Sequence, residues 1–215
     1  EEFYAIGLRS PHSLTYDSVT GKALIGETGQ DEQEEINVMA KGVNYQWPFL
    51  EGNVPGPWPS LIGPGTSTPP IHVNLNRTVD GSGMVGGWVY RGSQFAADLG
   101  GKFVFADFIS NKIWSLDWQT PGAPRRWLAT VPRVAGETAG VTGISVDADQ
   151  ELYIPMHGDQ GRIYKLVSNG SASAPPATPS ATGAFSNLAN LTPASGIVPF
   201  AVNSQLWSDG AEKWR

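Results

Sequence analysis

Four acidic residues crowd one turn of the chain, within the stretch "GETGQDEQEEINVMAKGVNYQWPFLEG" at residues 26–52: Asp31, Glu32, Glu34 and Glu35. The cluster is either a solvated acidic turn or one wall of a cation or cofactor site. It lacks the alternating oxygen ligands and the terminal bidentate glutamate of an EF-hand. A hard cation would instead bind the backbone carbonyls of Gly29 and Gln30, because calcium accepts carbonyl as well as carboxylate oxygens. The residues alone leave both interpretations open.

Other catalytic chemistries have less support in the sequence. The chain contains no cysteine, which excludes a thiolate zinc site and a disulfide scaffold. Its three histidines, His12, His72 and His157, are scattered and form no HxxxH or HxH pair. There is no GxSxG elbow, and "GSGMVGG" at 81–87 lacks the strand–loop–helix context of a phosphate cradle. His12 differs from the other histidines, since Arg9 lies near it in the same predicted loop before a strand.

Composition indicates a globular, turn-rich protein rather than a nucleic-acid-binding or membrane-spanning one. The 215 residues are 40% hydrophobic with 8 tryptophans, enough for a core, and 26 glycines and 17 prolines favour short strands and many turns. A net charge of −6 and a pI of about 5.0 do not favour the basic surface that nucleic-acid binding needs. No apolar run approaches the roughly 18 residues that a spanning helix needs.

The strongest pattern is a broken repeat of paired strands. The segments "KALIGE" (22–27), "KFVFAD" (102–107) and "ELYIPM" (151–156) are each followed by a polar turn and a second apolar segment: "EINVM" (35–39), "KIWSLD" (112–117) and "RIYKL" (162–166). Strand, turn, strand at a recurring spacing is typical of a propeller blade. The sequence therefore predicts an all-β fold with about three blades of a β-propeller, and a Pro/Gly-rich insertion at 53–70.

Three regions of different character follow from these patterns. Residues 1–167 are predicted to form the carboxyl-terminal part of a propeller, because a closed ring needs at least four blades. The remaining blades would precede this chain, or the ring would close by association. Residues 168–183 are a Ser/Ala/Pro-rich linker. Residues 184–215 regain Leu, Phe and Trp, and are predicted to begin a following domain or to form a docking arm.

Two longer motifs resemble the glucose/sorbosone dehydrogenase family. The first, "GLRSPHSLTYDSVTGKALIGETGQDEQEEINVMAKGVNYQWPFLEG", follows the family's Arg-Asn-Pro step, its "D..TG.L" strand and its "EE(I/V)N....G.NYGWP..EG" run. The second, "GGWVYRGSQFAADLGGKFVFADFISNKIWSLD", looks like the family's "GGYVYRG..FP.L.G.Y.F.DF.SG.IW.L" blade. The resemblance covers about residues 5–167 and implies a six-bladed propeller. Its members include soluble pyrroloquinoline quinone (PQQ) sugar dehydrogenases and a non-catalytic branch like hedgehog-interacting protein.

The resemblance also implies roles for individual residues. Arg9 matches an arginine that contacts PQQ and substrate, with Ser10 and His12 in place of the family's usual Asn and Gln. Thr28 stands where a glutamine contacts the cofactor, and the carbonyls of Gly29 and Gln30 correspond to those that bind the PQQ-associated calcium. The family's Arg-x-Arg pair is replaced by Gly140 and Thr142, which removes two cationic partners for the PQQ carboxylates. Arg91 and Arg133 are candidate substitutes, and the catalytic histidine would lie upstream of Glu1.

Two functions follow as expectations. The first is part of a periplasmic or extracellular PQQ- and Ca²⁺-dependent aldose dehydrogenase, which oxidises a sugar by hydride transfer to the quinone, with Arg9 in the catalytic site. A c-type cytochrome module, downstream or in trans, would be its partner. The second is a non-catalytic propeller that binds a carbohydrate or a protein through a degenerate cofactor site, and the missing arginine pair favours it.

Overall fold

Three four-stranded antiparallel sheets follow one another along the chain in the computed structural model. The structure describes residues 3–59, 63–76, 78, 80–133, 135–136, 139–159, 161–168, 185–190 and 192–195. Among these, the regular elements are nearly all strands, with one short helix: β1 (Pro11–Asp17), β2 (Lys22–Glu27), β3 (Gln33–Val38), β4 (Val43–Asn44), β5 (Leu50–Glu51), β6 (Val54–Pro55), β7 (Thr66–Ser67), β8 (His72–Leu75), β9 (Met84–Val89), α1 (Ala96–Leu99), β10 (Phe103–Asp107), β11 (Lys112–Leu116), β12 (Arg126–Thr130), β13 (Gly140–Val141), β14 (Ser145–Val146), β15 (Leu152–His157), β16 (Arg162–Lys165), β17 (Phe185–Asn187) and β18 (Thr192–Pro193).

Each sheet has the order of a propeller blade. The first runs β1-β2-β3-β8 and the second β9-β10-β11-β12, so that strands adjacent in space are also consecutive, apart from the insertion before β8. In the third, β15 is central, with β13 and β14 along one side and β16 along the other. The predicted all-β class is therefore confirmed, and the strands predicted at 22–27, 102–107 and 151–156 appear as β2, β10 and β15.

Two hydrophobic clusters hold neighbouring sheets together. One contains buried side chains of the first and second sheets, such as Leu24, Ile36 and Phe105. The other contains side chains of the second and third sheets, such as Val104 and Ile154. Each fully buried side chain of this size contributes roughly 1.5–3 kcal/mol. Burial between the sheets therefore fixes the relative positions of the loops at their edges.

The long connection between β3 and β8 contains the Pro/Gly-rich segment predicted as an insertion. It forms two small sheets, the parallel pair β4–β7 and the hairpin β5–β6. Tyr45 anchors it, since its buried hydroxyl donates to the carbonyl of Val38 over 2.7 Å. This insertion carries Glu51 and Trp47, which contact the turn between β2 and β3 and the loop before β1 respectively.

The chain divides into two compact units, Glu1–Leu166 and Val167–Arg215. The second unit includes the hairpin β17–β18. Nearly all of the linker predicted at 168–183, and most of the arm predicted at 184–215, lie outside the described residues, so their roles stay predictions. In the described part of the chain, no helix is long and apolar enough to cross a membrane.

Candidate functional site

One edge of the sheets gathers the residues that the sequence singled out. In an antiparallel pair of consecutive strands, the start of the first strand and the end of the second lie at the same edge. His12 at the start of β1 and Thr28 directly after β2 therefore lie close together at one edge of the first sheet. A cavity of about 270 Å³ opens there, and its lining contains these two residues together with Thr142. The full lining is His12, Thr28, Ser82, Gly83, Val85, Phe108, Ile109 and Thr142.

The hydroxyl protons of two lining threonines are already committed to the protein. Thr28 Oγ1 donates to the carbonyl of Met84 over 3.0 Å. Thr142 Oγ1 donates to the carbonyl of Pro155 over 3.1 Å. Because a hydroxyl has one proton and two acceptor lone pairs, each oxygen can only accept a further hydrogen bond. A ligand that contacts these two oxygens must therefore donate hydrogen bonds to them.

Arg9 contacts Thr28, which lines the cavity, but is not itself a lining residue. Its Nη1 donates to the carbonyls of Thr28 and Gly29, over 3.2 and 2.9 Å. Its guanidinium also lies 5.5 Å from the centre of the Trp47 ring, within the range of a cation–π contact. Ser10 is next to it and accepts the Thr28 backbone N–H over 3.1 Å. The structure thus brings Arg9, Ser10, Thr28 and Gly29 together.

The turn that carries Gly29 and Gln30 is organised around a buried carboxylate. Glu51 Oε1 accepts four successive backbone N–H groups, from residues 30, 31, 32 and 33, over 2.7, 2.7, 2.8 and 3.2 Å. A Cβ at position 29 would overlap the carbonyl oxygen of Gln33, so the close approach requires glycine here. No group of three or more His, Asp or Glu side chains that could hold a metal ion occurs among the described residues.

The interpretation of the acid cluster as a solvated turn is wrong for two of its members. Asp31 and Glu32 are exposed, whereas Glu34 and Glu35 are buried in β3. Glu34 Oε2 accepts the backbone N–H of Met84 over 2.6 Å. Glu35 accepts from the Gly52 backbone and from the Asn37 amide. These carboxyls hold the second sheet and the insertion against β3, and they do not face solvent.

Burial also raises the pKa values of three glutamates, Glu27, Glu34 and Glu35. Desolvation raises the pKa of Glu34 to about 7, and the nearby carboxylate of Asp107 adds to the effect. Desolvation raises the pKa of Glu27 to about 7 as well, against the lowering effect of the Arg9 and Ser10 backbone N–H groups that it accepts. The pKa of Glu35 is raised for the same main reason. Near neutral pH, part of this cluster is uncharged.

The two arginines considered as substitutes for the missing pair, Arg91 and Arg133, do not line the cavity. Arg91 forms a 2.6 Å ion pair with Asp17, at the end of β1 and therefore at the opposite edge of the sheets. Arg133 donates to the carbonyl of Ile109, beside the cavity wall. At the two replaced positions, Gly140 is buried and Thr142 lines the cavity. No Arg or Lys is among the described lining residues.

Sequence reasoning missed Ser82, Phe108 and Ile109. Phe108 follows β10 as Thr28 follows β2, so the two residues occupy equivalent positions in consecutive blades. That equivalence was the available signal, because the repeat had already identified both strands. Ser82 lies in "GSGMVGG", which was discounted as a phosphate cradle and instead supplies one wall of the cavity.

Comparisons with known proteins agree with this architecture. A family model for Glucose / Sorbosone dehydrogenase matches residues 1–165. The HIPL1 protein of Arabidopsis thaliana is 28% identical over 193 residues, which cover 79% of this chain and 26% of that protein. A crystal structure of glucose dehydrogenase superposes with a TM-score of 0.62 at 20% identity, over 78% of this chain and 47% of the other.

A further similar solved structure contains a bound cofactor. The PQQ-bound aldose sugar dehydrogenase from Streptomyces coelicolor matches with a TM-score of 0.51 at 19% identity, over 71% of this chain and 38% of that one. Likeness at this identity establishes the fold, and the predicted propeller is thereby confirmed. The chain spans about a quarter of the HIPL1 protein and less than half of either solved structure.

Proposed function

This chain belongs to the glucose/sorbosone dehydrogenase family, and from that membership we propose that its pocket binds a sugar as part of a dehydrogenase-like β-propeller. The observation that carries the proposal is the pair of threonine oxygens at the cavity. Both Thr28 Oγ1 and Thr142 Oγ1 give their protons to backbone carbonyls and are left as acceptors. Sugar hydroxyls are hydrogen-bond donors and can donate to these two threonine oxygens.

The rest of the lining suits the same ligand. Val85, Phe108 and Ile109 offer an apolar surface for the C–H groups of a sugar ring, and His12 adds a further polar group. Small-molecule sites combine a mostly apolar lining with a few polar groups that fix orientation. The cavity of about 270 Å³ is slightly smaller than the roughly 300–1,000 Å³ typical of such sites. A monosaccharide is the ligand class of that size.

The residues present do not fit PQQ with calcium. PQQ carries three carboxylates, which accept hydrogen bonds and need cationic or donating partners. The two threonine oxygens have no proton to give, and no described lining residue is Arg or Lys. The Gly29 carbonyl, expected to bind calcium, accepts the guanidinium of Arg9 over 2.9 Å. We therefore propose ligand binding without a quinone-dependent step in this chain.

The second candidate is PQQ- and Ca²⁺-dependent oxidation of an aldose by the whole protein. Family membership favours it, and so does the contact of the Arg9 guanidinium with the carbonyl of Thr28, because Thr28 lines the cavity. Under this candidate, the protein works in the periplasm or outside the cell, and a c-type cytochrome accepts its electrons. Export is checked by cell fractionation, and dependence on the cofactor by dye reduction with added PQQ and Ca²⁺.

Sugar titration of the full-length protein tests the proposed function. We expect calorimetry to detect a neutral monosaccharide from a panel of glucose, galactose, mannose and xylose. Thr142→Val removes the acceptor oxygen and should weaken binding about fivefold, since one net hydrogen bond is worth about 1 kcal/mol. Thr66→Val, at an exposed strand position in the insertion, is the control and should leave the affinity unchanged.

The outcomes separate the two candidates. Sugar binding that is weakened by Thr142→Val and indifferent to PQQ supports the proposed function. Turnover of an aldose that requires PQQ and Ca²⁺ would establish the second candidate and overturn the view that the cofactor does not fit. No binding of any sugar in the panel would overturn the first.

A further inference from the structure

Two walls of the cavity come from separate stretches of the chain. Ser82 and Gly83 precede β9, whereas Phe108 and Ile109 follow β10. The strands β9 and β10 are neighbours in one sheet, but their register shifts at Asp107, the last residue of β10. Both walls therefore lie beyond the regular part of the ladder, and their separation depends on further contacts.

The Asp107 carboxylate supplies such contacts on both sides. Its Oδ2 accepts the Gly83 backbone N–H over 2.7 Å, and its Oδ1 accepts the Ser110 backbone N–H over 2.6 Å. Asp107 is 1% exposed, and a hydrogen bond in a buried region is electrostatically stronger than one in water. A carboxylate has two acceptor oxygens, and here each one binds the backbone at a different wall. Asp107 therefore joins the wall before β9 to the wall after β10.

The turn before β9 is shaped around this carboxylate. Gly81 has a φ of +100°, which favours glycine, and a Cβ at this position would overlap Asp107 Oδ1. The amide after Gly83 is held as well, because Glu34 Oε2 accepts the Met84 backbone N–H over 2.6 Å. Successive amides are thus bound by carboxyl groups from two sheets. A wall that is fixed in this way before a ligand arrives lowers the entropy cost of binding.

The first blade provides a structural parallel at Glu27. Glu27 is the last residue of β2, as Asp107 is of β10, and it is also buried. Its Oε1 accepts the backbone N–H groups of Arg9 and Ser10, in the loop before β1. In both blades, a carboxyl group at this point of the repeat fixes the loop that leads into the first strand. Glu27 differs in using one oxygen for both amides, and neither Arg9 nor Ser10 is among the described lining residues.

We propose that Asp107 is a positioning residue of this cavity: by binding Gly83 and Ser110 it holds the two walls at a fixed separation and thereby limits the size of the ligand. Asp107 is not among the described lining residues, so it acts through the walls and does not touch the ligand. This inference rests on the proposed sugar site and adds the residue that sets the width of that site. It gives Asp107 no part in bond breaking.

Asp107→Asn tests whether both oxygens are needed. Asparagine keeps one acceptor oxygen and places an NH₂ group against the other backbone N–H, so one of the two bonds is lost. We expect calorimetric titrations of the full-length variant to show glucose binding weakened about fivefold, because part of the binding energy must then bring the walls together. The ratio of maltose to glucose affinity should rise at least about threefold, since a cavity whose walls can separate admits a second ring.

Glu27→Gln is the matched control. Glutamine keeps the oxygen that accepts both backbone N–H groups, and these contacts lie outside the described cavity lining. The variant should therefore leave the glucose affinity and the maltose-to-glucose ratio at their wild-type values. Thermal unfolding of both variants reports whether they are folded.

Hydrogen exchange in the wild-type protein tests the same contacts without a substitution. If Asp107 fixes the walls in advance, the Gly83 and Ser110 amides should exchange slowly without sugar, and saturating glucose should change their rates by less than about threefold. Exchange that is fast in the free protein and slow only with glucose would mean that the walls form on binding. That result would overturn the inference even if Asp107→Asn does not fold.

The outcomes separate this inference from the proposed sugar site. Weaker glucose binding and a raised maltose-to-glucose ratio in folded Asp107→Asn, but not in Glu27→Gln, support the inference. An unchanged ratio in folded Asp107→Asn overturns it and leaves the sugar site standing. Absence of binding of either sugar to the wild-type protein overturns the inference and the sugar site together.

Discussion

At the scale of single residues, burial favours the protonated form of Glu34. Its side chain is fully buried in β3, and burial raises its pKa from 4.5 to about 7. The stability that comes from keeping Glu34 protonated is therefore fully present below pH 4.5 and is lost as the pH rises through about 7. Glu27 acts in the same direction and over the same window.

Glu34→Gln should make the protein more stable at alkaline pH. The amide stays neutral, and its oxygen can still accept the Met84 backbone N–H. We expect the free energy of unfolding of the variant to exceed that of wild type by on the order of 1–3 kcal/mol at pH 8, and to differ little at pH 5. Urea denaturation at several pH values measures this difference.

The exposed neighbour Glu32 provides the comparison. Glu32→Gln should change the free energy of unfolding by less than about 0.5 kcal/mol at either pH, as for most surface substitutions. A Glu34→Gln variant that is less stable than wild type at pH 8 would contradict the account, because it would mean that the buried carboxylate is charged and well stabilised.

At the scale of elements, the turn between β2 and β3 depends on the carboxylate of Glu51, which comes from the insertion. Glu51→Ala leaves four backbone N–H groups at residues 30–33 without their acceptor and should lower the free energy of unfolding by about 2–4 kcal/mol. Hydrogen exchange should accelerate at these amides first. Glu51→Gln keeps an acceptor oxygen and should cost less. Equal exchange rates in wild type and Glu51→Ala would show that the turn is held by other contacts.

The same elements show which parts of the fold can be predicted from the sequence. The strands β2, β10 and β15 each contain a run of apolar residues, so their positions follow from composition. The first strand, β1, "PHSLTYD", mixes polar and apolar residues and gives no clear pattern. β12, "RWLAT", is largely exposed and gives an equally weak signal.

The site divides in a similar way. His12, Thr28 and Thr142 were predicted through family motifs, and they meet at one cavity. Phe108 was not predicted, although the repeat places it directly after β10, as Thr28 stands directly after β2. The burial of Glu34 also escaped prediction, since its partner Met84 is fifty residues away in the sequence.

At the scale of the whole molecule, consecutive blades are connected by buried hydrogen bonds in addition to the hydrophobic clusters. Tyr90 donates to Glu151 Oε2 over 2.7 Å and accepts the Phe95 backbone N–H over 2.9 Å. Glu151 Oε1 also accepts the backbone N–H groups of Ser93 and Gln94. Because Glu151 immediately precedes β15, this network connects the second and third sheets.

Tyr90→Phe should weaken that connection. It leaves one carboxylate oxygen and one backbone N–H unpaired in a buried region, which costs about 1–3 kcal/mol of unfolding free energy. We expect the amides of β15 to lose protection from hydrogen exchange together with those of β9. Tyr16→Phe, at a tyrosine that is 63% exposed, should have no measurable effect. Loss of protection confined to the loop at 91–95 would show that the blades do not depend on this contact.

We propose that the cavity lined by Thr28 and Thr142 binds a neutral sugar through the threonine oxygens and the Phe108 ring. A crystal structure of the full-length protein with saturating D-glucose tests it most directly. We predict the sugar in the cavity, with its hydroxyls within about 3.2 Å of Thr28 Oγ1 and Thr142 Oγ1 and a C–H face on Phe108. Glucose bound only at another surface, or a cavity that stays without sugar, would contradict the account.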